Sequence, residues 1–423
     1  MKKKSQPMKI SGELTFPGDK SISHRALILG TLTNGESTID NCSNAIDVES
    51  TRLCLQECGV PSERVLSRIT ILGGGLKRPD HPLNCGNSGT TARLLTGLLV
   101  GQGVAATLVG DESLSRRPMG RIIRPLQMMG ATVEGRNGHL PLRLKGKTPS
   151  MGIKYRPPVA SAQVKSCVLL AGLGVPGSTT VIERTKTRDH TEIMLKILGA
   201  DITTTDNHVT VFLLQRPFKP FHINVPGDPS TAAFLASAAA VIPHSELILR
   251  SVLLNPTRTG FYDALKEMGA GIQLLNKRDE YGETIGDLKI THKPLKGISL
   301  GGTEIPRMID ELPILGVLAT QAEGTTVIRD AIELRVKETD RIKAICTNLR
   351  RMGAHVSERE DGFVIRGPTP LRGASISTFD DHRVAMAFTI AGLIAQEPVK
   401  MDNPEIMSVS CPDFSDLLRK VIS

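Results

Sequence analysis

The stretch RIIRPLQMMGATVEG, residues 121–135, decides the fold because its parts return along the chain. Its apolar residues fall at i, i+3, i+4 and i+7, the spacing of an amphipathic helix. Gly130 stands where such a helix needs a left-handed terminator, and ATVEG reads as a strand. The same order comes back at Leu198-Gly199-Ala200, Met268-Gly269-Ala270 and Met352-Gly353-Ala354, with a weaker copy at Cys58-Gly59-Val60. The interval is about 70 residues and lengthens to about 84 before the last of these. PDFSDLLRKVI, residues 412–422, reads as a sixth copy without its strand.

Upstream of each amphipathic helix lies another, richer in small residues. These begin KSISHRALILGTL at Lys20, NSGTTARLLTGLLV at Asn87, SAQVKSCVLLAGL at Ser161, DPSTAAFLASAAAVI at Asp228, DELPILGVLATQA at Asp310 and DDHRVAMAFTIAGLIA at Asp380. Each is followed by a strand-like run: ESTID, AATLVG, STTVIE, SELILR, TTVIRD and EPVKMD. Small side chains let backbones approach, so these helices are expected inside. Six βαβ-containing units, three to a lobe, is the α/β architecture this implies. Pro17-Gly18-Asp19 and Pro226-Gly227-Asp228 each open a first helix, and the second follows a Pro-rich linker at 216–221. They are expected to be paired crossings, with one lobe at 19–225 and the other at 226–423 plus 1–18.

A chain of 423 residues is long enough for two cores, and 40% hydrophobic with 22% charged residues is ordinary for a globular protein. The basic start has no apolar run behind it, which argues against a signal peptide, and no window reads as a membrane span. A cytoplasmic protein is expected. Seven cysteines show no CxxC pair and ten histidines no metal motif, so neither a metal nor a disulfide is expected. A net charge of +9 admits nucleic acid, but 3% aromatics, no Trp and scattered basic residues favour small anions.

Chemistry collects at the helix starts, where unpaired N–H groups and the dipole suit phosphate and carboxylate. The first small-residue helix opens Asp19-Lys20-Ser21 with Arg25 further on, and the second Asn87-Ser88-Gly89-Thr90 with Arg93. The third carries Ser161, Gln163 and Lys165, the fifth Asp310-Glu311 and the sixth Asp381-His382-Arg383. Ser21, Thr90 and Ser161 equally fit plain N-caps. Arg335–Arg341 reads as a helix start holding Lys337, Glu338, Asp340 and Arg341, where like-charged Lys337 and Arg341 at i, i+4 point to anion binding. Gly73-Gly74-Gly75 lacks GxGxxG spacing and reads as a turn.

Taken together, residues 17–25, 86–90, 117–120, 161–163, 335–341 and 381–383 resemble the 5-enolpyruvylshikimate-3-phosphate (EPSP) synthase family, in order, over about residues 10 to 420. The resemblance implies a two-lobed inside-out α/β barrel with its active site in the interlobe cleft. It implies transfer of the enolpyruvyl group of phosphoenolpyruvate (PEP) to the 5-hydroxyl of shikimate 3-phosphate, through a tetrahedral intermediate and with release of phosphate. It places shikimate 3-phosphate against Lys20, Ser21, Arg25, Ser161, Ala162, Gln163, Arg188, Asp310 and Lys337. It places PEP against Lys20, Asn87, Gly89, Arg117, Gln163, Glu338, Arg341, His382 and Arg383. Asp310 is the implied base on the hydroxyl, Glu338 the implied proton donor to carbon, and Lys20 steadies the developing charge. No cofactor, nucleic-acid or membrane partner is implied, and a monomer is expected.

The chain departs from the family pattern at four places. Ala162 replaces a second serine, Arg188 a tyrosine, Glu333 an asparagine, and Val409 a lysine that some members direct at PEP. Two rivals stay open. A UDP-sugar enolpyruvyl transferase would want Asn after Lys20 and a cysteine on the 116–120 loop, and this chain has Ser21 and no cysteine there. A basic RNA-binding protein of repeated units is the other.

Overall fold

The computed structural model describes residues 8–423, so the lysines at 2–4 lie outside the described residues. The chain forms two compact units, one of residues 17–226 with 280–283, the other of 8–16, 227–279 and 284–423.

The repeated Gly positions end their helices as the sequence predicts, and for a local reason. Gly59, Gly130, Gly199, Gly269 and Gly353 take φ between +76° and +99°, the left-handed region that costs glycine least. In each case the next N–H reaches back five residues, as Ala131 does to the Leu126 carbonyl at 3.0 Å. The glycine N–H closes the inner bond, Gly130 to Gln127 at 2.9 Å, completing a Schellman motif.

In the first five repeats the strand after the second helix is a hairpin rather than a single strand, so the full repeat is βαβαββ. In the second repeat Ala105–Val109 pairs parallel with Leu83–Asn84 and antiparallel with His139–Lys145, which pairs with Val133–Arg136. The hairpin turns at Asn137 (φ 52°) and Gly138 (φ 76°), a two-residue loop of the type Asn-Gly favours. Among the described residues five sheets repeat this four-strand order, and the sixth has Ser375–Ile376 beside Lys400–Met401.

Two edge strands are exchanged between the halves of the sequence. Ser11–Leu14 pairs with Glu246–Leu253 of the fourth repeat, while His222–Asn224 pairs with Glu36–Asp40 of the first. The two Pro-Gly-Asp phrases follow these strands.

Within each unit the small-residue helices form the interior. Every residue from Pro229 to Ala240 of the Pro229–Val241 helix is buried. In the other unit the Gly89–Gly101 and Ala162–Gly172 helices touch backbone to backbone: a Cβ on Gly97 would lie 2.2 Å from the Cys167 carbonyl oxygen. Strands such as Arg68–Leu72 alternate buried and exposed residues, so the sheets cover this interior on one face. All seven cysteines are buried and free, and among the described residues no helix is long and apolar enough to cross a membrane.

Candidate functional site

The helix starts are built differently from the sequence expectation. Asp19 and Ser88, not Ser21 and Thr90, cap the first two small-residue helices, accepting from the Ile22 N–H at 2.7 Å and the Thr91 N–H at 3.1 Å. Ser161 is a cap, accepting from the Val164 N–H at 3.4 Å. With the caps one residue or more upstream, Lys20, Ser21 and Thr90 keep their side chains for other partners.

In the 17–226 unit these side chains join three groups. Lys20 donates to the Asp47 carboxylate at 2.8 Å, a partner from the next helix, Ile46–Glu57. Arg25 is buried; its Nε donates to the Thr191 hydroxyl at 2.7 Å, Nη2 to Ser166 at 2.9 Å and Nη1 to the Ser21 carbonyl at 2.8 Å. Arg188 reaches the Ser21 hydroxyl at 3.4 Å.

The third group surrounds Gly89. Arg117 donates to Asn87 and to Ser113, the latter at 3.1 Å, and Asn87 donates in turn to Asp111 at 2.7 Å. Arg93 donates to the Gln163 side-chain oxygen, and Gln163 donates to Thr90 at 2.9 Å. A Cβ on Gly89 would sit 2.9 Å from Arg93 Nη1 and 3.4 Å from Arg117 Nη1. Two guanidinium groups therefore flank a residue with no side chain, at the N-terminus of a 13-residue helix. The geometry suits an anion. Ala162 is the first helical residue after Ser161 and offers only backbone.

In the other unit the 335–341 segment is not one helix start. A 3₁₀ turn, Ile332–Val336, ends before Lys337; Asp340 is the N-cap and Arg341 the first residue of Arg341–Arg351. Lys337 and Arg341 therefore do not oppose each other along a helix. Both meet Asp310 Oδ1, at 3.3 and 3.1 Å. Asp310 precedes the Leu312–Gln321 helix and lies outside it.

Arg341 is the centre of this cluster. It is 1% exposed, with Nη1 on Asp310, Nη2 on Glu338 at 2.7 Å and Nε on Asp381 at 2.8 Å. Burial opposes its charge, but Asp381, Glu338 and Asp310 outweigh that and hold its pKa above the ordinary arginine value. Asp381 also caps the His382–Ile394 helix through the Arg383 N–H at 2.8 Å. Arg383 is 4% exposed and lies 5.8 Å from the Phe234 ring centroid. Its Nε and Nη1 are buried with no hydrogen-bond partner among the described residues. His382 is buried in the first turn, and Val409 is a buried apolar residue.

Sequence reasoning missed Asp47 as the partner of Lys20, and the anchoring part played by Asp381. For Asp381 a signal existed: aspartate precedes the first, fourth and sixth small-residue helices, and Asp19, Asp228 and Asp381 all cap them. Nothing local marks Asp47, 27 residues from Lys20. A cavity of about 570 Å³ lined by Met194, Leu213, Phe218, Phe221 and Tyr281 includes none of the candidate site residues.

Residues 4–418 match the family described as EPSP synthase (3-phosphoshikimate 1-carboxyvinyltransferase). A 3-phosphoshikimate 1-carboxyvinyltransferase of Oceanobacillus iheyensis is 46% identical over 418 residues, 98% of this chain and 97% of its own. One from Parvibaculum lavamentivorans is 48% identical over 419 residues, 96% of this chain and 93% of its own. The solved EPSP synthase of Acinetobacter baumannii superposes with a TM-score of 0.87 at 39% identity, covering 99% of this chain and 97% of that one.

Proposed function

The chain belongs to the EPSP synthase family, and we propose that its reaction uses anion-holding side chains, among them Lys20, Arg25 and Arg117, together with the proton-transferring carboxylates Asp310 and Glu338. That reaction transfers the enolpyruvyl group of PEP to the 5-hydroxyl of shikimate 3-phosphate and releases phosphate. Shikimate 3-phosphate is assigned to Lys20, Ser21, Arg25, Ser161, Ala162, Gln163, Arg188, Asp310 and Lys337. PEP is assigned to Lys20, Asn87, Gly89, Arg117, Gln163, Glu338, Arg341, His382 and Arg383.

One observation carries this reading: a single buried guanidinium, Arg341, holds both Asp310 and Glu338. Two carboxylates so fixed supply a base and an acid for one reaction. Asp310 takes the proton of the 5-hydroxyl as that oxygen bonds to C2 of PEP. Glu338 gives a proton to C3, turning the methylene into a methyl group. Elimination breaks the bond from C2 to the phosphate oxygen; Glu338 recovers a methyl proton and the leaving phosphate takes the proton from Asp310.

Glu338 must be protonated before addition, although an arginine partner favours its ionised form. PEP supplies the means. An anion arriving on Arg341 competes with Glu338 for Nη2, and the released carboxylate gains proton affinity. Arg383 Nε and Nη1, which have no partner among the described residues, support the same anion, and Lys20 opposes charge developing in the adduct.

This reading takes the chain to act as a monomer without a metal, in the cytoplasm, where seven free, buried cysteines would stay reduced. The test is phosphate release with PEP and either acceptor. It is expected to need both PEP and shikimate 3-phosphate. Equal release with a UDP-sugar would overturn the acceptor assignment.

A further inference from the structure

Lys165 is a charged residue with no place in the reaction above. It is fully buried, and its Nζ reaches Glu192 at 2.6 Å, Glu183 at 2.9 Å and the Thr187 carbonyl at 3.3 Å. Glu183 in turn accepts from the Thr187 N–H at 3.1 Å and from the Thr187 hydroxyl. Burial opposes the lysine's charge, but Glu192 and Glu183 outweigh it and raise its pKa; burial pushes the Glu192 carboxyl up.

Three segments meet in this triad; two carry groups assigned above to shikimate 3-phosphate, and the third seats Arg25. Lys165 shares its helix with Ala162 and Gln163, directly after Ser161. Glu183 and Thr187 lie in the connection that carries Arg188. Glu192 follows Thr191, whose hydroxyl accepts from Arg25 and pairs with Ser166, the residue after Lys165, at 2.7 Å. A buried ion cluster is a poor source of net stability, because desolvation offsets most of the attraction. A cluster of fixed geometry does set the register of what it joins.

We propose that Lys165, Glu183 and Glu192 are positioning residues for the phosphorylated acceptor, holding the Arg188 connection and the Thr191–Ser166 seat of Arg25 against the Gln163 helix. The proposal rests on the acceptor assignment of the preceding subsection. It predicts a selective effect: acceptor binding suffers while PEP binding and the chemical step do not.

The test is steady-state kinetics on Lys165→Met/Glu183→Gln/Glu192→Gln, a triple variant that removes the triad without stranding a buried charge. The expected result is a KM for shikimate 3-phosphate raised about tenfold or more, the scale at which misplaced groups tell, with kcat and the PEP KM near wild type. An unchanged acceptor KM, or both KM values rising together, overturns the proposal. Should the triple variant not fold, Glu183→Asp keeps the charge and withdraws the carboxylate from Thr187. It is expected to raise the acceptor KM several-fold, and a wild-type value overturns the proposal. Arg188→Ala and Arg25→Ala, measured alongside by direct binding, separate the two layers. If both bind shikimate 3-phosphate normally, the acceptor assignment is at fault; if both bind it weakly while the triad variant is normal, the positioning claim is.

Discussion

At the scale of single residues, Gly89 and His24 make the sharpest claims. A methyl group at Gly89 presses on the end of Arg93 and touches that of Arg117, side chains that move more easily than backbone. Gly89→Ala is therefore expected to fold normally and to raise the PEP KM about tenfold, with the KM for shikimate 3-phosphate unchanged; an unaltered PEP KM contradicts the role of the flanking guanidinium pair. His24 is buried against Thr51, its Nδ1 2.7 Å from that hydroxyl, and Thr51 continues to Thr91 at 2.7 Å. Burial first, then Lys20 and Arg25, hold its pKa well below 6.5. The unfolded chain therefore binds this proton and the folded chain does not, so stability is present above about pH 6.5 and is lost as pH falls below it. Urea unfolding between pH 7.5 and 5 should show a shallower decline in His24→Gln than in the wild type. Equal slopes would mean that His24 charges in the folded state.

At the scale of elements, what the sequence reveals depends on how local the cause is. Gly130 and its counterparts were legible because a left-handed helix end needs glycine, whatever surrounds it. Asn137-Gly138 carried an equally local signal for a hairpin, one that a reading built on single strands passed over. The caps were misassigned by a residue or two at Ser21 and Thr90, since hydroxyls near a helix start look alike until the first turn is placed. The 335–341 segment misled for a tertiary reason: Lys337 and Arg341 are reconciled by Asp310, 27 and 31 residues away in the chain. Close helix packing yields a prediction of its own. A methyl group at Gly97 meets the Cys167 backbone, which cannot step aside as a side chain can. Gly97→Ala is expected to cost about 1–3 kcal/mol by overpacking, read from the urea midpoint at unchanged slope. A stability equal to wild type would mean that the two helices are further apart than described.

At the scale of the whole molecule, each unit holds a charged cluster of its own. The 17–226 unit gathers Lys20, Arg25, Arg93, Arg117 and Arg188 at its helix starts and the connections beside them. The other unit brings Asp310 and Glu338 together on Arg341. The repeats were visible from glycine spacing and small-residue helices, whereas Asp47 as the partner of Lys20 emerges only once the chain is folded. The proposed reaction requires Asp310 as its base. The most direct test is phosphate release by Asp310→Asn at saturating PEP and shikimate 3-phosphate, with acceptor affinity measured by direct binding on the same preparation. The account predicts turnover lower by about two to four orders of magnitude with affinity within a few-fold of wild type; turnover near the wild-type rate would contradict it.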